Sequence, residues 1–257
     1  MIQIREVTLS QYAQDMRRYY ENGAVIHCTF LHHTYIPDAN SYKGIASIKA
    51  IQRDHIFRRG FHDIACGVYC GPDGKIFPAR PPTVWNCACQ LPRKPWKDIP
   101  LSLRLLINQT RGNMRWDHWP NAYGYGVETV GNFDREDPTT SMAMKTSLDV
   151  IAEVHKIWGL PASRCYFHRH VAYKTCPGKR VKEEWVRSEL ERRIGAVKTL
   201  KVVLLPGTTV IDCNAVIENG TTRCNLRPLS ESLGYEVIDH IEDQGKIYIR
   251  EKNEEAD

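Results

Sequence analysis

AVIHCTFLHHT, Ala24 to Thr34, packs branched and aromatic side chains into Ala24–Leu31 and then presents two histidines in succession. A short apolar run of this kind reads as a buried strand, and the histidines fall at its C-terminal end. Side chains alternate between the two faces of a strand, so only one of His32 and His33 can address a given point. Working outward, Leu9–Tyr20 reads as a short helix behind a cap at Thr8 or Ser10, and Ile45–Arg59 as a second helix. Cys66–Tyr69 reads as a strand and GPDGKIF (Gly71–Phe77) as a hairpin turning at Asp73-Gly74. YGYGVETVG (Tyr123–Gly131) is a glycine-bounded strand. A helix follows from about Thr140, stopped by Gly159 and Pro161, with a core face of Met144, Leu148, Ile151, Val154 and Trp158. CYFHRHV (Cys165–Val171) gives another strand, CPG a tight turn, and Lys179–Ile194 a charged helix that closes the first unit. Strands interleaved with helices predict an α/β fold.

Between these elements, Pro81–Pro120 breaks the pattern with six prolines, four tryptophans (Trp85, Trp96, Trp116, Trp119), and six basic against two acidic side chains. It is too long for an ordinary connection, so it is read as a functional or wall-forming insertion around a short helix near Leu101–Asn108.

Composition bounds the rest. The 257 residues carry a net charge of +5, with 42% hydrophobic and 25% charged residues, which disfavours extensive disorder, collagen and a long coiled coil. No apolar run reaches the roughly 18 to 20 residues of a membrane-spanning helix, so membrane insertion is not expected. MIQIREVTLS has charges where a signal peptide has its apolar stretch, so the expectation is synthesis in the cytoplasm without an export signal. Nine cysteines, an odd number, argue against a disulfide framework. Charge is uneven. Val197–Asp257 holds seven Lys or Arg against eleven Asp or Glu, a net of −4, which leaves +9 on residues 1–196. The larger unit therefore suits a polyanionic surface, although its positive residues form no nucleic-acid reading motif and nucleic acid is not expected as a partner.

Residues 197–257 read as a separate small β-rich unit: VVLLPG, a hairpin across Asn219-Gly220, a helix RPLSESLG, and YEVIDHIEDQGKIYIR. A two-residue turn sets Ala215 opposite Cys224, which makes Cys213 and Cys224 diagonal neighbours, read as packed thiols.

The chemistry concentrates in metal-type residues at strand ends. FHRHVAYKTCPG gathers His168, His170, Lys174 and Cys176 in one short loop, and His32 and His33 end a strand. Two imidazoles and a thiolate form a borderline-soft set that suits zinc and leaves a fourth tetrahedral position open for catalysis. The pattern alone does not choose the ligands.

FLHHTYIPD, GFHDIACGVYCGPDGKIFPAR, NAYGYGVETVGNFD and FHRHVAYKTCPGKRV, in this order, resemble the zinc-dependent N-acetylmuramoyl-L-alanine amidases, a family that shares its fold with the peptidoglycan recognition proteins and includes phage endolysins. The resemblance spans roughly residues 24–185. It implies a mixed central sheet flanked by helices with a zinc site at one edge. The catalytic domain is expected over residues 1–195 and the small β-rich domain over 197–257. It further implies Zn²⁺ held by His32, His168 and Cys176, with Glu128 as base and proton shuttle and Lys174 as oxyanion stabiliser. The implied reaction hydrolyses the amide between N-acetylmuramic acid and L-alanine. The implied partners are peptidoglycan and anionic wall polymers, met after release from the cytoplasm, as by an endolysin. A muropeptide-recycling amidase and a non-catalytic recognition module are the alternatives. Some family members carry a tyrosine where this chain has Cys66, which moves weight onto Glu128 and Lys174.

The tail resembles stalk-like domains first named for the N-terminal region of copper amine oxidases, through TTRCNLRPLSESLGYEV and KIYIR. Wall binding, dimerisation and spacing are its open roles, and no copper site is expected. His27 is read as a core histidine and His170 as an outer neighbour of the metal. The groups Cys66/Cys70 and Cys87/Cys89 are read as buried thiols, with a second metal site as the alternative. The insertion tryptophans are read mainly as anchors.

Overall fold

The computed structural model describes residues 1–89 and 94–195 in full and, beyond these, the backbone of five further strands. The first sheet runs β3-β2-β4-β1-β5, built from β1 (Cys28–His33), β2 (Val68–Cys70), β3 (Ile76–Pro78), β4 (Gly124–Thr129) and β5 (Cys165–Phe167). β1 lies parallel to both β4 and β5, β2 lies parallel to β4, and only the β2–β3 hairpin is antiparallel. The sheet is therefore mixed, as expected.

Alternation along β1 sorts its residues. Leu31 faces a core shared with α1 (Leu9–Glu21), α5 (Met142–Trp158) and α7 (Glu183–Ile194), built on Met16, Val127, Leu148, Ile151, Val154 and Leu190. Cys28 and Phe30 face a second core made by the insertion, where α3 (Leu101–Thr110) and α4 (Trp119–Tyr123) bring in Leu103, Ile107 and Trp119. A third cluster joins Ile48 of α2 (Ile45–Arg53) to Ile64, Cys66 and Tyr69. The insertion is thus a layer laid over one face of the sheet. Trp119 is fully buried and its indole Nε1 donates to Thr110 Oγ1 at 2.9 Å. Trp96 and Trp116 pack ring to ring at 5.3 Å, and Trp85 alone of the four is exposed. Three of the tryptophans anchor, as expected.

Local chemistry explains the helix ends. Thr8 caps α1 in a capping box, with Gln11 N donating to Thr8 Oγ1 at 3.2 Å and Thr8 N to Gln11 Oε1 at 2.9 Å. Gly159 ends α5 in the left-handed conformation at φ 64°, which glycine adopts without steric cost.

Several boundaries differ from expectation. β1 begins at Cys28 rather than Ala24 and takes in both histidines, because β4 pairs with it as far as His33 opposite Thr129. The expected strand Cys165–Val171 stops at Phe167, where His170 Nδ1 accepts from Phe167 N at 3.2 Å and closes the helical turn α6 (His168–Val171). α7 starts at Glu183 rather than Lys179, because Lys179 N is held by Asp134 Oδ1 and Arg180 N by Phe133 O. α2 passes at Asp54–Arg58 into a π-helical turn.

The further strands are β6 (Val197–Leu204), β7 (Val210–Glu218), β8 (Thr221–Cys224), β9 (Tyr235–Val237) and β10 (Ile247–Glu251). They pair in the order β8-β7-β6-β10-β9, with Ala215 opposite Cys224. The Asn219-Gly220 turn, the helix expected over Arg227–Gly234 and the Cys213/Cys224 packing lie outside the described residues. Among the described residues, no helix is long and apolar enough to cross a membrane.

Candidate metal centre and catalytic groove

Sheet register places the first two site residues. His32 of β1 is the direct neighbour of Glu128 of β4, which is in turn the neighbour of Tyr69 of β2. In adjacent parallel strands, paired residues project to the same face, so the three form one row across the sheet. His33, one residue on, projects to the opposite face. Its Nδ1 accepts from Phe133 N at 3.2 Å, and burial lowers it to a pKa of about 4. Of the two histidines, His32 is the one grouped with His168 and Cys176.

His168 opens α6 directly after β5, the edge neighbour of β1, and Cys176 arrives on the turn that follows. His32 Nδ1 lies 3.1 Å from His168 Nδ1 and 3.7 Å from Cys176 Sγ, and the three donor atoms lie within 4.8 Å of one another, all buried. Two neutral imidazoles can place one proton between facing nitrogens, while burial and the neighbouring cations hold His32 well below the usual imidazole range. A buried, uncharged pair of nitrogens beside a thiol fits a divalent cation of zinc type better than it fits protons. Without a cation, burial and the Glu128 carboxylate push the Cys176 thiol well up, so metal binding must displace its proton.

The Cys176 turn is held on two sides. Arg169 donates to Gly178 O at 3.0 Å and to Val181 O at 2.8 Å, with its guanidinium 4.4 Å over the Phe167 ring. Asp134 accepts from Thr175 Oγ1 at 2.9 Å and from Lys179 N at 2.8 Å. Gly178 has φ 120°, and a Cβ there would stand 2.5 Å from the Phe133 carbonyl carbon. Gly178→Ala is therefore expected to lower the melting temperature by roughly 6 to 12 °C, corresponding to about 3 kcal/mol, and to weaken metal binding through displacement of Cys176. Thermal melts with and without added zinc check this.

Glu128 is enclosed in its strand and its carboxyl rises to a pKa of about 7. Burial drives the rise, opposed by a hydrogen bond from Cys66 and by the charges of Lys174 and Arg59. Cys66 Sγ donates to Glu128 Oε2 at 2.9 Å. Lys174 is exposed two residues before Cys176 and, with Glu128, His32, His168 and Cys176, lines a groove of about 900 Å³. Its far wall comes from α2 and the π-helical turn, including His55, Arg59 and Phe61, and from the loop after β1, including Tyr35 and Ile36. All five expected site residues therefore meet in one groove.

Residues 22–179 match the family of N-acetylmuramoyl-L-alanine amidases. The chain belongs to this family. No curated protein matches it. Among solved structures it is similar to Drosophila PGRP-LB, at 17% identity over 74% of this chain and 84% of that one, with a TM-score of 0.43. It is also similar to the N-acetylmuramoyl-L-alanine amidase LysC of Clostridium intestinale, at 19% identity over 65% and 85% with a TM-score of 0.45. A third is the Ph2119 endolysin of a Thermus scotoductus bacteriophage, at 17% identity over 68% and 95% with a TM-score of 0.44.

In this N-acetylmuramoyl-L-alanine amidase family member the secondary candidates sort plainly. His27 stacks 6.2 Å from Trp119 and is lowered to about 4 by burial, outside both metal-type groups. His170 holds the α6 turn, with Nε2 3.1 Å from Glu183. Cys66, Cys70, Cys87 and Cys89 do not converge as one donor group among the described residues. Tyr69 was not singled out from the sequence, yet it is buried in the row with His32 and Glu128, and its hydroxyl accepts from Cys66 N at 3.3 Å. Its signal was the strand period once β2 is set beside β4.

Proposed function

We propose that the chain is a zinc-dependent N-acetylmuramoyl-L-alanine amidase that cleaves the amide between the lactyl group of N-acetylmuramic acid and L-alanine in peptidoglycan. The observation that carries this reading is the convergence of His32, His168 and Cys176 beside a half-buried carboxyl, Glu128, on the floor of an open groove. His32, His168 and Cys176 would hold the zinc. When bound, zinc supplies Lewis acidity that polarises a carbonyl and acidifies water. Glu128 Oε takes the proton of the attacking water and returns it to the leaving nitrogen, a task suited to a carboxyl poised near pH 7. The Lys174 ammonium, at the groove wall, balances the negative charge that develops on the scissile carbonyl oxygen. Gly126, two residues before Glu128 on β4, lets the Cys66 sulfur pack close beside the strand, and the insertion closes one side of the groove through Cys87 and Ala88. The glycan strand and its anionic polymers would lie along the positively charged 1–196 unit during lysis of the endolysin kind.

Purified cell walls provide the test. New L-alanine amino termini without new reducing sugars, lost on chelation and regained with zinc, are expected. Reducing ends without amino termini, or wall binding with no product, would overturn the reading.

A further inference from the structure

Two donor groups meet at His32. Besides the set with His168 and Cys176, His32, Cys66 and Glu128 each place one ligand atom within 4.8 Å of the others. Cys89 Sγ stands 3.9 Å from His32 Nε2. We propose that His32, Cys66 and Glu128 form a second cation position that takes a thiophilic divalent ion such as zinc, cobalt or cadmium and, when filled, withdraws Glu128 from proton transfer. The inhibitory consequence rests on the amidase reading above, because that reading makes Glu128 the base. The donor set itself does not depend on it.

The donor chemistry is that of a borderline-soft ion: imidazole nitrogen, thiolate sulfur and carboxylate oxygen. Serving both positions at once requires the imidazolate, so filling the second position also releases the His32 Nε2 proton to solvent. Nδ1 turns toward His168 and Cys176, leaving Nε2, on the Cys89 side, for the second ion.

Cys66 and Glu128 stand 2.9 Å apart, two acidic side chains joined by one proton at the edge of the groove. A divalent cation satisfies that pair better than a proton does. Its binding breaks the S–H bond, forms a metal–sulfur bond and sends the thiol proton to solvent, while the carboxylate becomes a ligand.

The surroundings hold the Cys66 sulfur in place. Cys66 is fully buried, its backbone N–H is fixed on the Tyr69 hydroxyl, and its sulfur sits where a Cβ on Gly126 would stand only 3.2 Å away. Glu128 lines the groove and Cys66 lies behind it, so an ion enters past the carboxylate. In a chain without Cys66, Glu128 would keep its oxygen free. The thiol gives this protein a built-in response to surplus metal.

The test is a cobalt(II) titration of the full chain under reducing conditions, followed by sulfur-to-cobalt charge-transfer absorption and by metal retained after desalting. Wild type is expected to retain two equivalents, with the sulfur band growing through both. Cys66→Ser and Glu128→Gln should each retain one equivalent fewer. Cys176→Ser should lose the first equivalent and keep a sulfur band that disappears when Cys66→Ser is added. With zinc, wild-type wall hydrolysis should fall severalfold as the second equivalent fills. One equivalent in wild type, with an unchanged spectrum in Cys66→Ser, would overturn the second position and leave the amidase reading standing. A second equivalent that survives both Cys66→Ser and Glu128→Gln would also overturn it. Failure to bind any cobalt would overturn both.

Discussion

Cys176→Ser is expected to give a folded protein that retains one equivalent of zinc fewer than wild type and has lost wall hydrolysis. A serine hydroxyl is not deprotonated near neutral pH and is a poor zinc ligand, so the donor set falls to the two imidazoles of His32 and His168. Replacing even an outer partner of a metal ligand typically weakens binding about 10- to 100-fold, and removal of the thiolate itself should exceed about 100-fold. The loss is specific to the metal because the turn keeps its other restraints, Arg169 on Gly178 and Val181 and Asp134 on Thr175 and Lys179. The sulfur also accepts from His33 N at 3.4 Å, a contact that the serine oxygen can inherit only by moving closer. Metal analysis after desalting, with circular dichroism to check the fold, decides this. Zinc content equal to that of wild type in Cys176→Ser would remove Cys176 from the ligand set.

Glu128→Gln is expected to retain the first zinc and to lower kcat by about 10² to 10⁴, the usual contribution of a positioned general base. It also makes a prediction about stability that needs no substrate. The carboxyl of Glu128 rises from an ordinary value of 4.5 to about 7 through burial. Below about pH 4.5 it is neutral in both folded and unfolded chains, and the stability associated with its neutral form is fully present. That stability is lost as pH rises through about 7, where the folded chain must ionise a buried group that the unfolded chain ionises freely. The shift amounts to about 3 kcal/mol at most, and about 2 kcal/mol is expected because the carboxyl borders the groove. In metal-free protein, glutamine should therefore raise the melting temperature at pH 8 by roughly 4 to 8 °C and leave it nearly unchanged at pH 5. Equal shifts at both pH values would show that burial of the charge is not what sets this carboxyl apart.

Much of this arrangement was legible in the residues, because strands and metal ligands carry local signatures. The apolar run before His32, the glycine-bounded strand around Glu128 and the joint presence of His168, Lys174 and Cys176 placed the site. The helix over Met142–Trp158 was visible from its apolar spacing and its Gly159 stop. What could not be read depended on partners distant in the chain. The choice between His32 and His33 needed the register of β1 against β4. The end of β5 at Phe167 was set by His170 turning back to Phe167 N, a competitor that strand propensity does not include. The late start of α7 came from Asp134 and Phe133, more than forty residues away, claiming the N–H groups of Lys179 and Arg180. The layer formed by Pro81–Pro120 has too little periodicity to be assigned from sequence, and its shape follows from burying Trp119, Leu103 and Ile107 on the face that Phe30 exposes.

The row His32–Glu128–Tyr69 makes the spacing between the proposed metal ligand and the proposed base a property of the sheet. Interstrand hydrogen bonding sets that spacing at roughly 4.8 Å between neighbouring backbones, whatever side chains pack above and below. The hydrogen-bonded ladder thus serves as a ruler, and reshaping the groove walls leaves the ruler unchanged. It fails only when the count changes. One residue added within Gly124–Val127 would turn Glu128 to the helix-covered face and set Val127 opposite His32, leaving the proposed metal ligands intact and the proposed base absent.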